Sequence, residues 1–364
     1  MKISDIISIL NQWAPPAYQE SYDNAQLIVG DPQTEVKGIL ISLDCIESVV
    51  EEAIRKNCNL IVSHHPIVFK GLKSLTGRNY VERTVIKAIR HDIALFSIHT
   101  NLDSVQTGVN QKICELIGLE NCKILAPKSQ ILSKLTTFAP RDQADQILST
   151  LHQAGAGNIG NYDQCSFSVD GTGRFRPNEK ANPYSGTSGE IQHEAETRIE
   201  VMLPTHLSHK VIRALHKAHP YEEVAYYLNE LSNINQEVGA GMVGELPTEM
   251  PIAAAMQHLK DTFNLSVIKH TRFHKEKIKR IAVCGGAGSF LLGKAKAAGA
   301  DLFVTGDFKY HEFFDAEDSI VVADIGHYES EVFTKELIYD FLIEKIGNIA
   351  LNFSEENTNP VKYF

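Results

Sequence analysis

Short apolar runs separated by helical stretches recur along the chain, and the same arrangement is found twice when the sequence is slid on itself. At an offset of 242 residues, Lys37-Gly38-Ile39-Leu40-Ile41 lies over Lys279-Arg280-Ile281-Ala282-Val283. Asn59-Leu60-Ile61-Val62-Ser63 lies over Asp301-Leu302-Phe303-Val304-Thr305 at the same offset, with no gap between the matches. The runs are short and rich in β-branched residues. Each pair encloses a stretch of helical periodicity (Val49, Val50, Ala53, Ile54; Leu291, Leu292, Ala295, Ala298), which predicts a parallel strand, helix, strand unit. A third apolar run follows each copy, Ile93 to Ile98 and Ile320 to Ile325. Residues 1–127 and 246–364 are therefore expected to be related halves of one α/β core.

Between them the pattern changes. Strands are expected at Ser133 to Phe138, Gln164 to Val169, Thr197 to Leu203 and Glu223 to Leu231, with helices at Gln143 to Ala154 and Ser208 to Ala218. That βαββαβ order is ferredoxin-like and predicts an inserted α+β domain at 128–245. Residues 171–193, rich in Gly, Pro, Ser and Asn, predict an irregular loop. The N-terminal stretch alternates apolar with polar residues until Pro15-Pro16, which predicts a short amphipathic helix.

Composition narrows the class. The 364 residues exceed the usual size of a single core, and 43% hydrophobic with 22% charged residues is ordinary globular usage. With 35 Lys and Arg against 45 Asp and Glu, the net charge of −10 disfavours nucleic acid and anionic lipid as partners. Cys45, Cys58, Cys114, Cys122, Cys165 and Cys284 form no C-x-x-C pair, so reduced thiols are expected. No window has the length and apolarity of a membrane span, and a soluble, cytoplasmic chain is the expectation.

Candidate chemistry gathers where apolar strands end. Leu60 to Ser63 runs into His64-His65-Pro66, and Phe96-Ser97-Ile98 into His99-Thr100-Asn101-Leu102-Asp103. Val321 to Ile325 runs into Gly326-His327, with Glu331 four residues later. Adjacent side chains on an extended segment diverge, so His64 and His65 suit two centres rather than one. On a helix His327 and Glu331 share a face. Each element alone is also explained by an incidental surface histidine, an Asx turn or a surface ion pair. Together they offer His, His, Asp, His and Glu, none of them thiolate, at positions where open α/β sheets bind ligands. Five such ligands are too many for one catalytic zinc and suit two divalent metals sharing a carboxylate, with zinc, iron(II) and manganese all compatible.

The same residues make the chain resemble the GTP cyclohydrolase 1 type 2 homologues, or NGG-interacting-factor-three-like proteins, over nearly its full length. Tyr22-Asp23-Asn24 with Leu27 to Gly30, Ser63-His64-His65-Pro66, His99 to Asp103, and Gly326-His327 with Glu331 carry the likeness. The resemblance implies a dinuclear site with His65 and Asp103 on one metal, His64 and His327 on the other, and Glu331 bridging. It also implies a toroidal homohexamer and a PII-like insert, to which Gly155 to Asp163 and His219 to Val224 correspond. Ala25-Gln26 departs from the small residue and glycine usual in the family.

Other residues weigh less. Gly306 and Asp307 are the offset partners of His64 and His65, and Asp307 or His311 is a candidate to orient water or substrate; a turn with a helix-start aspartate explains them equally well. His99 is a candidate proton shuttle or support for a ligand. Cys284-Gly285-Gly286-Ala287-Gly288-Ser289 fits a tight turn better than an anion cradle, and the basic stretch Lys269 to Arg280 fits a solvated connector. Two functions stay open: a metal-dependent hydrolase acting on a small molecule such as a nucleotide, and a non-catalytic metal carrier or regulator.

Overall fold

The computed structural model describes residues 1–364, which divide into two compact units, 1–126 with 238–364, and 127–237. The chain is α/β. In the first unit the repeated apolar runs become two sheets. Gly38–Ser42, Leu60–Ser63 and Ala94–Ser97 are buried along their whole length and pair in parallel, with Ser42 opposite Ser63 and Ser63 opposite Ser97. Burial on both faces is why they read as continuous rather than alternating apolar runs. The helix Glu47–Arg55 lays Val49, Val50 and Ala53 on this sheet, in a core shared with Leu40, Ile61 and Leu95.

The second half repeats the plan with Lys277–Ala287, Leu302–Gly306 and Val321–Asp324, again parallel neighbours. The likeness reaches further than the apolar runs. An antiparallel edge strand, Leu27–Val29 in one sheet and Lys269–His270 in the other, starts 242 residues apart in the two halves. After the third strand the spacing shortens to 227, from Ala94 to Val321. A 3-10 turn at Tyr310–Ala316 stands where the first half has the longer helix Tyr80–Arg90. At this same spacing each third strand leads into a five-residue helix, Thr100–Ser104 or His327–Glu331. The halves also exchange edges. Ala350–Phe353 pairs with Gly38–Ser42, and Glu120–Ser129 joins the sheet of the second half.

Two local expectations change. The apolar spacing beyond His327 predicts one helix, but the chain forms His327–Glu331 and then Thr334–Lys345. Phe333 stands between them at φ −76°, ψ −1° and buries its ring 5.8 Å from that of Phe263. The Lys269 to Arg280 stretch is laced with ion pairs, including Arg272 with Asp318, Lys275 with Asp301 and Arg280 with Glu245. The N-terminal helix Ile3–Trp13 buries Ile3, Ile6 and Leu10 and ends before Pro15. No helix is long and apolar enough to cross a membrane.

The second unit carries one four-stranded antiparallel sheet, in the spatial order Tyr226–Leu231, Leu132–Pro140, Gln192–Pro204, Phe167–Phe175. The helices Ala144–Gln153 and Ser208–Ala218 bury Ile147, Leu151, Val211 and Leu215 with Leu135, Ile199, Val201 and Leu203. This is the ferredoxin-like order. The 171–193 loop is shorter than its composition predicts, because the ladder continues from Gly171 opposite Glu196 to Phe175 opposite Gln192. At Gly173 the carboxylate of Glu196 packs over the backbone, 2.1 Å from where a Cβ would lie. The unit ends at 237 rather than 245, since Met242 to Glu245 pair with Val283 to Arg280 in the first unit.

The connecting strands Glu120–Ser129 and Ile234–Pro251 are sheet neighbours, so a tight turn suffices to join them. Replacing residues 130–235 by a short Gly/Ser turn is expected to leave a core that unfolds in one cooperative transition; a broad, non-cooperative melt by circular dichroism would contradict this.

Candidate functional site

The parallel strands end together, and their ends deliver the polar residues to one place. His64 follows Ser63, its side chain fully buried, and donates from Nδ1 to the Ile98 carbonyl at 2.9 Å. Because a carbonyl only accepts, Nδ1 bears the proton and Nε2 presents a lone pair. That Nε2 and Asp103 Oδ1 are buried without any hydrogen-bond partner, 3.5 Å from each other. Two buried acceptors side by side are costly unless something positively charged lies between them.

The other imidazoles are held in the same way. His65 Nδ1 is 2.8 Å from Asp44 Oδ1, His327 Nδ1 is 2.7 Å from Asp307 Oδ2, and His99 Nδ1 is 2.8 Å from Asp23 Oδ1. Asp44 is steadied by the Thr358 hydroxyl at 2.5 Å, and Asp23 accepts from the Thr100 backbone N–H at 3.1 Å. With Nδ1 engaged, Nε2 turns inward. The Nε2 atoms of His65 and His327 lie 3.3 Å apart, and Glu331 Oε2 is 3.0 and 3.1 Å from them. The other oxygen of Glu331 is 3.9 Å from His64 Nε2.

Glu331 reaches this position because the facing strand gives way. Gly286 has φ +60°, and a Cβ there would lie 2.5 Å from Glu331 Oε1 and 3.2 Å from the His327 ring. Its N–H donates to Ser330 Oγ at 2.9 Å, and the Gly285 N–H donates to Asn110 Oδ1 at 3.0 Å. Asn110 in turn donates to the Asp103 carbonyl at 3.0 Å, tying the Asp103 turn to the opposite half. The glycine-rich stretch is thus neither an anion cradle nor only a turn; it clears space for a buried carboxylate.

Electrostatics follow from this packing. Burial pushes His64 down to about 4. Burial also opposes charge on His65 and His327, but Asp44 and Glu331 raise the first to about 9, and Asp307 and Glu331 raise the second to about 11. Asp103 is raised well above the ordinary carboxylate value by burial and by Glu331. Glu331 is buried too, yet its contacts with His327 and His65 hold it well below its ordinary value. Despite its own burial, Asp23 is lowered to about 2 by its bond to His99.

The structure therefore brings His64, His65, Asp103, His327 and Glu331 into one cluster, with the His99 ring 5.2 Å from those of His64 and His65. Two ligand triplets share Glu331, namely His64, Asp103, Glu331 and His65, His327, Glu331, and within each the ligand atoms lie within 4.8 Å of one another. Either is able to hold a metal ion. In these triplets His64 stands with Asp103 and His65 with His327, whereas the pairing implied by resemblance puts His65 with Asp103 and His64 with His327. Asp307 holds His327 in place. His311 lies exposed against Tyr310 and Phe314, away from the cluster. Asp44 and Asn110 were not recognisable in the sequence, since neither belongs to a motif. A cavity of about 720 Å³ opens on the cluster, lined by His65, His99, Asp103, His327 and Glu331 among others.

Comparison with known proteins gives this site its context. The profile of the family Duf34/NIF3 (NGG1p interacting factor 3) matches residues 1–360. Curated relatives named GTP cyclohydrolase 1 type 2 homolog include one from Staphylococcus epidermidis, 35% identical over 367 residues and covering 100% of both chains. Another, from Bacillus subtilis, is 35% identical over 364 residues, covering 98% of this chain and 97% of the relative. A crystal structure of a Bacillus cereus protein related to NIF3 superposes with a TM-score of 0.88 at 34% identity, covering 100% of this chain and 99% of the other. The chain belongs to the Duf34/NIF3 family.

Proposed function

We propose that the chain is a metal-dependent hydrolase of a nucleotide or related small molecule, with a pair of divalent cations as cofactors. His64 and Asp103 would hold one cation, His65 and His327 the other, and Glu331 both. The observation that carries this reading is the pair of orphaned acceptors, His64 Nε2 and Asp103 Oδ1, beside a buried carboxylate common to both triplets. Such a donor set fits zinc, iron(II) or manganese. Cations of this kind acidify water and stabilise charge on attacked and leaving atoms.

The chain's own residues supply the rest. The cavity on the cluster favours a catalytic site over a metal carrier, because a carrier has no use for substrate space beside its ligands. His99, fixed by Asp23 through Nδ1, offers Nε2 as a proton relay. In ring opening, water oxygen bonds to a ring carbon, the carbon–nitrogen bond breaks, and a proton passes through His99 Nε2 to the departing nitrogen. The name of the curated relatives accords with that chemistry.

Three outcomes are expected. Protein purified without chelator should carry about two divalent metals per chain by elemental analysis, and Glu331→Ala fewer than about one; equal content in both would contradict the shared carboxylate. His99→Ala should keep its metals while turnover falls about 10²- to 10⁴-fold, and an unchanged rate would remove His99 from the chemistry.

The third concerns pH. Near neutrality His65 and His327 are protonated in the metal-free protein, with values of about 9 and about 11, and those protons must leave when metal enters. Raised folded-state values stabilise the metal-free protein fully below the unfolded value of about 6.5, and that contribution is lost as pH climbs through about 9 for His65 and about 11 for His327. Loading with manganese should therefore release protons at pH 7, read by calorimetry in buffers of different ionisation enthalpy. The gain in Tm on loading should widen between pH 6.5 and 9. Zero proton release, or a gain that shrinks, would contradict the assignment.

A further inference from the structure

The cavity beside the cluster is acidic. Seven carboxylates line it, Glu20, Asp324 and Glu329 in addition to those of the cluster and its supports, and no arginine does. The single lysine, Lys269, has its Nζ 2.5 Å from Asp324 Oδ2. Phosphate is ordinarily recognised by Arg or Lys, by free backbone N–H groups at a glycine-rich turn, or by a divalent cation. Here those N–H groups are occupied: Gly285 donates to Asn110, Gly286 to Ser330 and Gly288 to Thr305. Even two divalent cations leave the carboxylates in excess, so a polyphosphate would enter a field of its own sign.

What the cavity offers instead is ring surface. Tyr22, Tyr80 and Phe290 are 66%, 57% and 69% exposed, and Phe69 stands edge-on to His99 at 5.6 Å between ring centroids. Flat aromatic faces stack planar heterocycles without regard to charge, and carboxylates accept their N–H groups. About 720 Å³ is ample for a base with its sugar.

We propose that this cavity takes a phosphate-free planar nitrogen heterocycle, a nucleobase or nucleoside, and discriminates against its phosphorylated forms. The proposal rests on the hydrolase reading above and narrows its substrate class. It places the reaction after phosphate has been removed from a nucleotide, so that a phosphohydrolase or nucleotidase class of reaction must supply the substrate.

The test is calorimetric titration of the metal-loaded full chain with guanosine and with GTP at one ionic strength, with elemental analysis of the protein recovered from each. Guanosine binding at least tenfold tighter than GTP is expected. Phe69→Ala and Tyr22→Ala should each weaken guanosine about tenfold or more while metal content stays unchanged. GTP binding as tightly as guanosine or tighter, a preference for guanosine below tenfold, or no binding of either, would overturn the proposal. So would guanosine binding indifferent to both aromatic substitutions. Metal content separates the two claims: two metals per chain without nucleoside binding leaves the metal assignment standing, whereas protein holding no metal removes the hydrolase reading itself.

Discussion

The arrangement depends on one constraint: each imidazole of the cluster has its Nδ1 tied to an oxygen. The Ile98 carbonyl, Asp44, Asp307 and Asp23 serve His64, His65, His327 and His99 in turn. Without those bonds the rings would rotate and satisfy themselves locally. With them, three Nε2 atoms and two carboxylates meet in a buried volume where they cannot all satisfy one another. Two buried acceptors with no donor, His64 Nε2 and Asp103 Oδ1, are costly in a metal-free interior. A cation relieves both at once.

The duplicated fold explains how a chain delivers so many polar groups to one buried point. Each half ends its three parallel strands on the same side and follows the third with a five-residue helix. The halves are not used symmetrically. His64 and His65 of the first half answer to Gly306 and Asp307 of the second, so the position that bears the ligand candidate His65 in one half bears, in the other, Asp307, the hydrogen-bond support of His327. The short helices contribute Asp103 from one half and His327 with Glu331 from the other. The exchanged edge strands, together with Asn110, couple the halves mechanically and hold the two sets in register.

Much of this was legible in the residues, and what was not has a physical cause. Fully buried parallel strands announce themselves as β-branched runs, and a repeat with constant spacing is visible without any structure. The strand-end histidines and the His327, Glu331 pair follow from local periodicity. Asp44 and Asn110 act across long sequence separations and carry no local signature, so only folding reveals them. The role of Gly286 was hidden for the same reason: a glycine-rich stretch looks like a turn until the carboxylate it makes room for is in place. The extension of the ladder into 171–175 went against composition because it rests on pairing with residues 192–196, a contact between different strands that local composition does not carry.

The central claim is that two metals share Glu331, one between His64 and Asp103 and the other between His65 and His327. Anomalous diffraction from crystals of the metal-loaded chain tests it directly. Two anomalous peaks flanking Glu331, each bounded by its own triplet, are the predicted result; a single peak, or a peak joining His65 to Asp103, would contradict the account.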